Sequence, residues 1–236
     1  TIATGLETGK ITGNETYQCA GGLQVADHYI RCNVRSGHGT LDVSGALEQS
    51  CNVALMEMGE AIGVKIMIKY ENIFNLGLKT NIDLAGEART ASLVYNESTM
   101  GESELATSSF GQGFNVTMIE MAAAFSSIVN GGYYYEPHVV SKITNSTGDT
   151  VRNIEPRVLK QTISETTSAQ MRQYLYAAVA EGTGKSARPA GYAIGGKTGT
   201  AEKVPRDHKH YVVSFIGCAP AVSYTHLRAH ETLSDL

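Results

Sequence analysis

The stretch GGKTGTAEK, residues 195–203, decides how the rest of this chain is read. It sets a cation, two hydroxyls and three glycines along what reads as an edge strand. A lysine ammonium and a threonine hydroxyl can together hold a carboxylate, and Gly199 lacks the Cβ that would keep a ligand off the backbone. Taken alone, Lys197-Thr198-Gly199 points to catalysis or anion binding and to nothing narrower. Its surroundings support the strand. YAIGGKTGTAEK and HYVVSFIGCAPA read as two closing strands joined by the polar loop VPRDH.

Helices surround this pair. SETTSAQMRQYLYAAVAEG (164–182) is a well-capped helix in which Ser164 is the cap and Met171, Leu175, Ala178 and Val179 face inward. LDVSGALEQSCNVALMEMGEAIG (41–63) reads as two helical pieces joined near Ser50-Cys51-Asn52, with Leu55, Met58, Gly59 and Ile62 on one face. IMIKYENIF is a further short amphipathic helix. After FGQGFNVT, the residues Met118, Met121, Ala122, Phe125, Ile128 and Val129 form an apolar stripe that ends at Asn130-Gly131-Gly132 and reads as a core face. YYYEPHVVSKI reads as a strand, TNSTGDT as a hairpin turn, and residues 77–108 as a long surface excursion without periodicity.

The bulk properties bound the function. The 236 residues suffice for one large domain or two small ones, and 42% hydrophobic with 18% charged residues is ordinary for a soluble globular protein. A net charge of −4 argues against a nucleic-acid surface, which needs a basic face. No apolar run approaches the length of about 20 residues that spans a bilayer. The opening TIATGLETGK lacks the basic end and apolar stretch of a signal peptide. It reads as the continuation of a helix, so the chain is expected to begin inside a domain. VSYTHLRAHETLSDL (222–236) has neither strand alternation nor a helical stripe; it reads as sequence joined to the gene or as a disordered tail, and is expected to pack poorly.

Cys19 and Cys32 flank CAGGLQVADHYIRC, in which AGG suits a turn and DHYIR a returning strand. Two readings stay open for them: a disulfide in an oxidising compartment, or two free thiols. The spacing matches no zinc pattern, so no metal is expected. Cys51 and Cys218 lie in apolar text and read as packed thiols. His38, between two turn-forming glycines in SGHGT, reads as structural, and HKH (208–210) as a solvated loop.

EGTGKSA (181–187) contains Gly-Lys-Ser but is not a phosphate loop. The pattern needs a glycine where Val179 stands and a strand where MRQYLYAAVA is helical, so a helix end followed by a loop is expected. Ser50-x-Asn52 and Lys197-Thr198-Gly199 are each common by chance. Together, with Gly111-Gln112-Gly113 between them, they carry more weight.

That combination resembles the transpeptidase domain of penicillin-binding proteins, whose motif trio is Ser-x-x-Lys, Ser-x-Asn and Lys-Thr-Gly. LETGKI, SGHGTLDVSGALEQSCNVALM, SFGQGFNVTMIEMAAAFSSIVNGG, GKTGTAEK and SFIGCAPA all look like this family, in that order, over nearly all of residues 1–221. Lys-Thr-Gly-Thr-Ala followed by Ser-Phe-Ile-Gly is similar to the class B, monofunctional enzymes; class A enzymes and β-lactamases fit less well. One departure matters: no Ser-x-x-Lys occurs in the sequence. The resemblance then implies that the chain starts just after the nucleophile and is inactive alone.

The resemblance implies an α/β fold, an antiparallel sheet flanked by helices beside a mostly helical subdomain, cut at both ends. Residues 1–132 would supply the helical part with Ser-x-Asn, residues 133–221 the late strands with Lys-Thr-Gly, and 222–236 a tail. A sheet short of strands would leave apolar faces open. The implied reaction is peptidoglycan D,D-transpeptidation through a serine acyl-enzyme that β-lactams also form, without cofactor. Lys197 and Thr198 would hold the D-alanyl carboxylate, Gly199 would let the stem peptide lie along the edge, and the Thr200 N–H would donate to the oxyanion. Ser50 would relay a proton to the leaving amine, and Asn52 would bond the nucleophile's lysine and the substrate amide, with helix capping as the competing role for both. The full-length protein would be membrane-anchored on the extracytoplasmic face, in a cell-wall synthesis complex, a location that favours the disulfide. A non-catalytic sensor of the same fold, gripping acyl-peptide or β-lactam, is the alternative.

Overall fold

The computed structural model describes residues 1–202 and 210–221. The loop VPRDH, the first two residues of HKH and the stretch 222–236 lie outside the described residues, as do the expectations made for them.

Helix α1 (Ile2–Glu7) leads into four short strands, β1 (Thr16–Cys19), β2 (Gly22–Val25), β3 (His28–Arg31) and β4 (Gly39–Asp42). β1 pairs antiparallel with β4, and β2 with β3. Helices α2 (Val43–Glu48), α3 (Asn52–Ile62), α4 (Val64–Ile73), α5 (Glu102–Ser109) and α6 (Met118–Val129) follow. The remainder holds β5 (Tyr133–Tyr135), β6 (Lys142–Thr144), β7 (Thr150–Asn153), β8 (Val158–Gln161), α7 (Glu165–Ala180), β9 (Gly195–Glu202) and β10 (Tyr211–Cys218). β5 pairs with β8, β6 with β7 and β9 with β10, all antiparallel. The expected α/β class and antiparallel pairing hold, but the described strands form two-stranded ribbons and not one wide sheet.

The helix boundaries follow local chemistry. Asp42 caps α2 by accepting from the Gly45 N–H at 2.7 Å. Ser164 caps α7 by accepting from the Thr167 N–H, and Met171, Leu175, Ala178 and Val179 are buried as expected. α3 buries Val53, Ala54, Met56 and Met58 in the main core with Val43, Ala46 and Ile2, and Ile62 in a second cluster with Met67, Ile68, Met100 and Leu105.

Three expectations change. Within the stretch read as a surface excursion, α5 packs on α3, and Leu105, Ala106, Ser108 and Ser109 are buried. Its serines and threonine hid the period, and Gly59 makes the contact: any side chain there would collide with Ser109. α6 does not turn its apolar stripe fully inward; Met118 is 91% exposed, and the buried face is Glu120, Ala123, Ala124 and Ser127. These small residues let β5 approach, and the Glu120 carboxylate is satisfied by the Thr90 hydroxyl at 2.7 Å and the Gly77 N–H at 3.2 Å. The stretch read as one strand from Tyr133 splits into β5 and β6. Pro137 interrupts it, and Asp83 then holds the turn by accepting from the Val139 and Val140 N–H groups.

The site hairpin β9–β10 rests on α7. Gly195 and Gly196 are buried, and a Cβ on Gly196 would collide with the Phe215 ring and the Ile216 carbonyl. On β10 Tyr211, Val212, Val213 and Phe215 are exposed, Val213 by 76%.

Candidate active site

Ser50 is brought to β9 by a break between two helices. α2 ends at Glu48, the Cys51 N–H closes the turn on the Ala46 carbonyl at 2.9 Å, and Ser50 sits between them with φ of 54°. A non-glycine residue in this left-handed region carries a local cost, and such costs gather at functional sites. Neither the Ser50 nor the Asn52 side chain caps the N-terminus of α3, although the Ser50 backbone closes the C-terminus of α2. The cap of α3 is Cys51, the Ser50 hydroxyl accepts from Lys197, and the Asn52 amide donates to the Arg31 carbonyl at 3.3 Å.

Lys197, half-buried on β9, spends its three donors on the Ser50 hydroxyl, the Thr198 carbonyl at 3.0 Å and the Thr198 hydroxyl at 3.4 Å. Burial pushes its pKa below the usual lysine value. Among the described residues no carboxylate forms an ion pair with it. It is a desolvated cation beside hydroxyls, without a counter-charge among the described residues.

Thr183, which the sequence reading passed over, completes the hydroxyl cluster. Its hydroxyl lies 3.4 Å from the Ser50 hydroxyl and accepts from the Thr198 hydroxyl at 3.2 Å. The loop after α7 carries it there: the Thr183 N–H donates to the Glu48 carbonyl at 2.9 Å, and a Cβ on Gly182 would come within 2.8 Å of the Glu48 Cα. The glycines of EGTGKSA therefore serve close backbone packing, as the helix-end reading requires. The signal available in sequence was Gly-Thr-Gly directly after a helix.

Ser50, Lys197, Thr198 and Thr183 thus converge. Asn52 is next to Ser50 in sequence but is tied to the end of β3. Gly199 and Thr200 continue along β9, Thr200 exposed; among the described residues β9 has one strand partner, β10, and its other edge is unpaired. That free edge can accept an extended peptide.

Of the two readings left open for Cys19 and Cys32, the structure takes the free thiols. Cys19 and Cys32 form no disulfide; all four cysteines are free, and Cys19, Cys32 and Cys51 are fully buried. With His38 they form one cluster whose ligand atoms all lie within 4.8 Å of one another. The sequence reading found no zinc spacing because these residues come from separate segments: the ends of β1 and β3, the turn before β4 and the cap of α3.

A mixed α/β fold with a Ser-x-Asn turn facing a Lys-Thr-Gly strand is the arrangement shared by the penicillin-binding class of proteins. The family model described as "Penicillin binding protein transpeptidase domain" matches residues 1–228, and the chain belongs to that family. It is 41% identical over 227 residues to Stage V sporulation protein D of Bacillus subtilis, an alignment covering 94% of this chain and 35% of that protein. Among solved structures it is similar to the D,D-transpeptidase domain of a peptidoglycan glycosyltransferase from Eggerthella lenta, with a TM-score of 0.81, 25% identity, and coverage of 93% of this chain and 55% of that one. It is equally similar to penicillin binding protein 3 of Mycobacterium tuberculosis complexed with ampicillin, with a TM-score of 0.82, 25% identity, and coverage of 93% and 51%. The chain spans about a third of the length of the first curated relatives it matches. Among the described residues no helix is long and apolar enough to cross a membrane.

Proposed function

We propose that this chain forms the substrate-binding wall of a class B peptidoglycan D,D-transpeptidase. The observation that carries the proposal is the half-buried Lys197 ammonium with no carboxylate partner among the described residues, set beside Ser50 and at the start of an open strand edge. A buried cation of this kind is stabilised by a ligand anion, and the terminal carboxylate of a D-alanyl-D-alanine stem peptide, or of a β-lactam, supplies one.

In this reading Lys197 and Thr198 hold that carboxylate, and the peptide lies antiparallel along β9 past Gly199. The Thr200 N–H is one of two oxyanion donors, the other being the nucleophilic serine's own N–H; losing such a donor typically costs roughly 10²–10³ in rate. Ser50, held by Lys197 and in reach of Thr183, passes a proton to the departing amine. Asn52, anchored on Arg31, faces the lysine of the Ser-x-x-Lys motif. Residues 1–132 carry the Ser-x-Asn side of the cleft and 133–221 the Lys-Thr-Gly side. The full-length enzyme would work membrane-anchored at the extracytoplasmic face, with other cell-wall synthesis proteins.

The test joins the family's Ser-x-x-Lys segment ahead of Thr1 and follows covalent labelling by a fluorescent penicillin. The completed protein should be labelled, its Lys197→Ala variant should be labelled at least tenfold more slowly, and the chain as given should not be labelled. Equal labelling of completed protein and variant would refute the assignment. Noncovalent binding of penicillin without any acyl-enzyme in the completed protein would favour the sensor reading.

A further inference from the structure

We propose that Cys19, Cys32, His38 and Cys51 form a closed structural zinc site that fixes the turn carrying Ser50 and Asn52. A tetrahedral centre with Zn–S of about 2.3 Å and Zn–N of about 2.0 Å sets its ligand atoms roughly 3.5–3.8 Å apart. The four ligand atoms lie within 4.8 Å of one another, and Cys32 Sγ stands 3.5 Å from His38 Nδ1. Three cysteines and one histidine are a donor set that zinc takes in structural sites, and the soft thiolates disfavour magnesium or calcium.

The backbone sets this geometry independently of the side chains. Cys19 lies opposite Gly39 in the β1–β4 ladder, which places it beside His38. The Cys32 N–H donates to the Gly21 carbonyl at 2.9 Å, holding the end of β3 against the turn after β1. Gly37, with φ of 87°, passes so close to the Cys19 carbonyl that no side chain fits there. Cys51 occupies the N-terminal cap position of the 11-residue helix α3, which fixes its backbone at the turn.

The site would act as a clamp on the catalytic turn. Cys51 is the middle residue of Ser-x-Asn, so its metal bond would fix the residue between Ser50 and Asn52. The neighbours of Cys32 already reach the same turn: the Arg31 carbonyl accepts from Asn52, and the Asn33 amide donates to the Gln49 carbonyl at 3.4 Å. Four protein ligands leave no open position for substrate or water, so the role is structural and not catalytic. The proposal stands on its own geometry and does not depend on the assigned reaction.

The test uses the chain as given, purified in reductant after growth with zinc, then dialysed against a weak chelator. The expected result is about one zinc per chain, retained at least tenfold less by Cys32→Ser and by His38→Asn, and unchanged in Cys218→Ser. Cobalt added to the metal-free reduced chain should give the visible bands of a tetrahedral ion and thiolate-to-cobalt charge transfer, a readout that does not rely on any variant folding. Zinc removal should lower the melting temperature. A zinc content no higher than that of the Cys19→Ser/Cys32→Ser/Cys51→Ser variant would overturn the proposal. So would an octahedral cobalt spectrum, or a Cys19–Cys32 disulfide found by mass spectrometry in protein purified without reductant.

Discussion

The Lys197 ammonium donates to the Ser50 hydroxyl across 147 residues of sequence, joining the edge strand to the turn between two helices. Thr183 stands within reach of both the Ser50 and Thr198 hydroxyls. The consequence is a cation whose acceptors among the described residues are all neutral.

Replacing Lys197 should separate stability from binding. Lys197→Met removes a half-buried charge that no carboxylate among the described residues pairs, so its melting temperature should match or exceed the parent's. Carboxylate recognition should fall about 10- to 150-fold, the equivalent of a charge-assisted bond of about 1.5–3 kcal/mol. Penicillin labelling of the Ser-x-x-Lys-completed protein and a thermal melt read the two effects. Because burial lowers the Lys197 pKa, the ammonium should be lost, and binding should weaken, at a pH below the usual 10.5.

Two glycines of β9 should behave differently. Gly196→Ala drives a methyl into the Phe215 ring and the Ile216 carbonyl and should cost about 1–3 kcal/mol in chemical denaturation. At Gly199 the nearest atom to an added Cβ is the Ser214 hydroxyl at 2.6 Å, the end of a side chain that can rotate away. Gly199→Ala should therefore fold normally and slow acylation, because the new methyl lies on the ligand's path. Loss of folding in Gly199→Ala with normal folding of Gly196→Ala would contradict this account.

Thr183→Val tests the hydroxyl cluster. The substitution keeps shape and removes the contacts to Ser50 and Thr198, while the backbone bond to Glu48 survives. Stability should change by no more than about 1.5 kcal/mol, and acylation should drop roughly tenfold. An unchanged rate would make Thr183 a packing residue only.

Acid stability should depend on Glu7. Burial raises its pKa, but the hydroxyls of Thr167 and Ser164 and the Ser164 N–H all donate to its carboxylate and lower it more, so the net shift is downward from 4.5. A carboxylate depressed in the folded state contributes stability above its unfolded pKa and loses it as pH falls through the folded value. Acid melts should show Glu7→Gln less stable than the parent at neutral pH, with the difference shrinking below about pH 4.5. A difference independent of pH would assign Glu7 a purely steric role.

Elements with strong local signals were legible from the sequence. α7 carried a serine cap and a clean apolar period, and α2 and α3 broke where Ser50-Cys51-Asn52 breaks them. α5 was hidden because its buried face is built from serine and alanine against Gly59, which leaves no hydrophobic period to detect. The buried face of α6 was misread because Glu120 is inside, and only Thr90 and Gly77, from distant loops, make that burial tolerable.

Of the candidate site, the sequence by itself determined the chemistry of its short motifs: a lysine, a threonine and a glycine on one strand, and a serine and an asparagine around one turn. Those follow from neighbours in the chain, and they sufficed to suggest the family. Which residues meet was decided only by tertiary structure. Thr183 joined the site because a glycine lets one helix end rest on another, and Asn52 was drawn to Arg31. Cys19, Cys32, His38 and Cys51, scattered without a recognisable spacing, came together because strand register and a helix cap fix their backbones. Spacing along a chain encodes geometry only within one element; between elements, packing sets the distances.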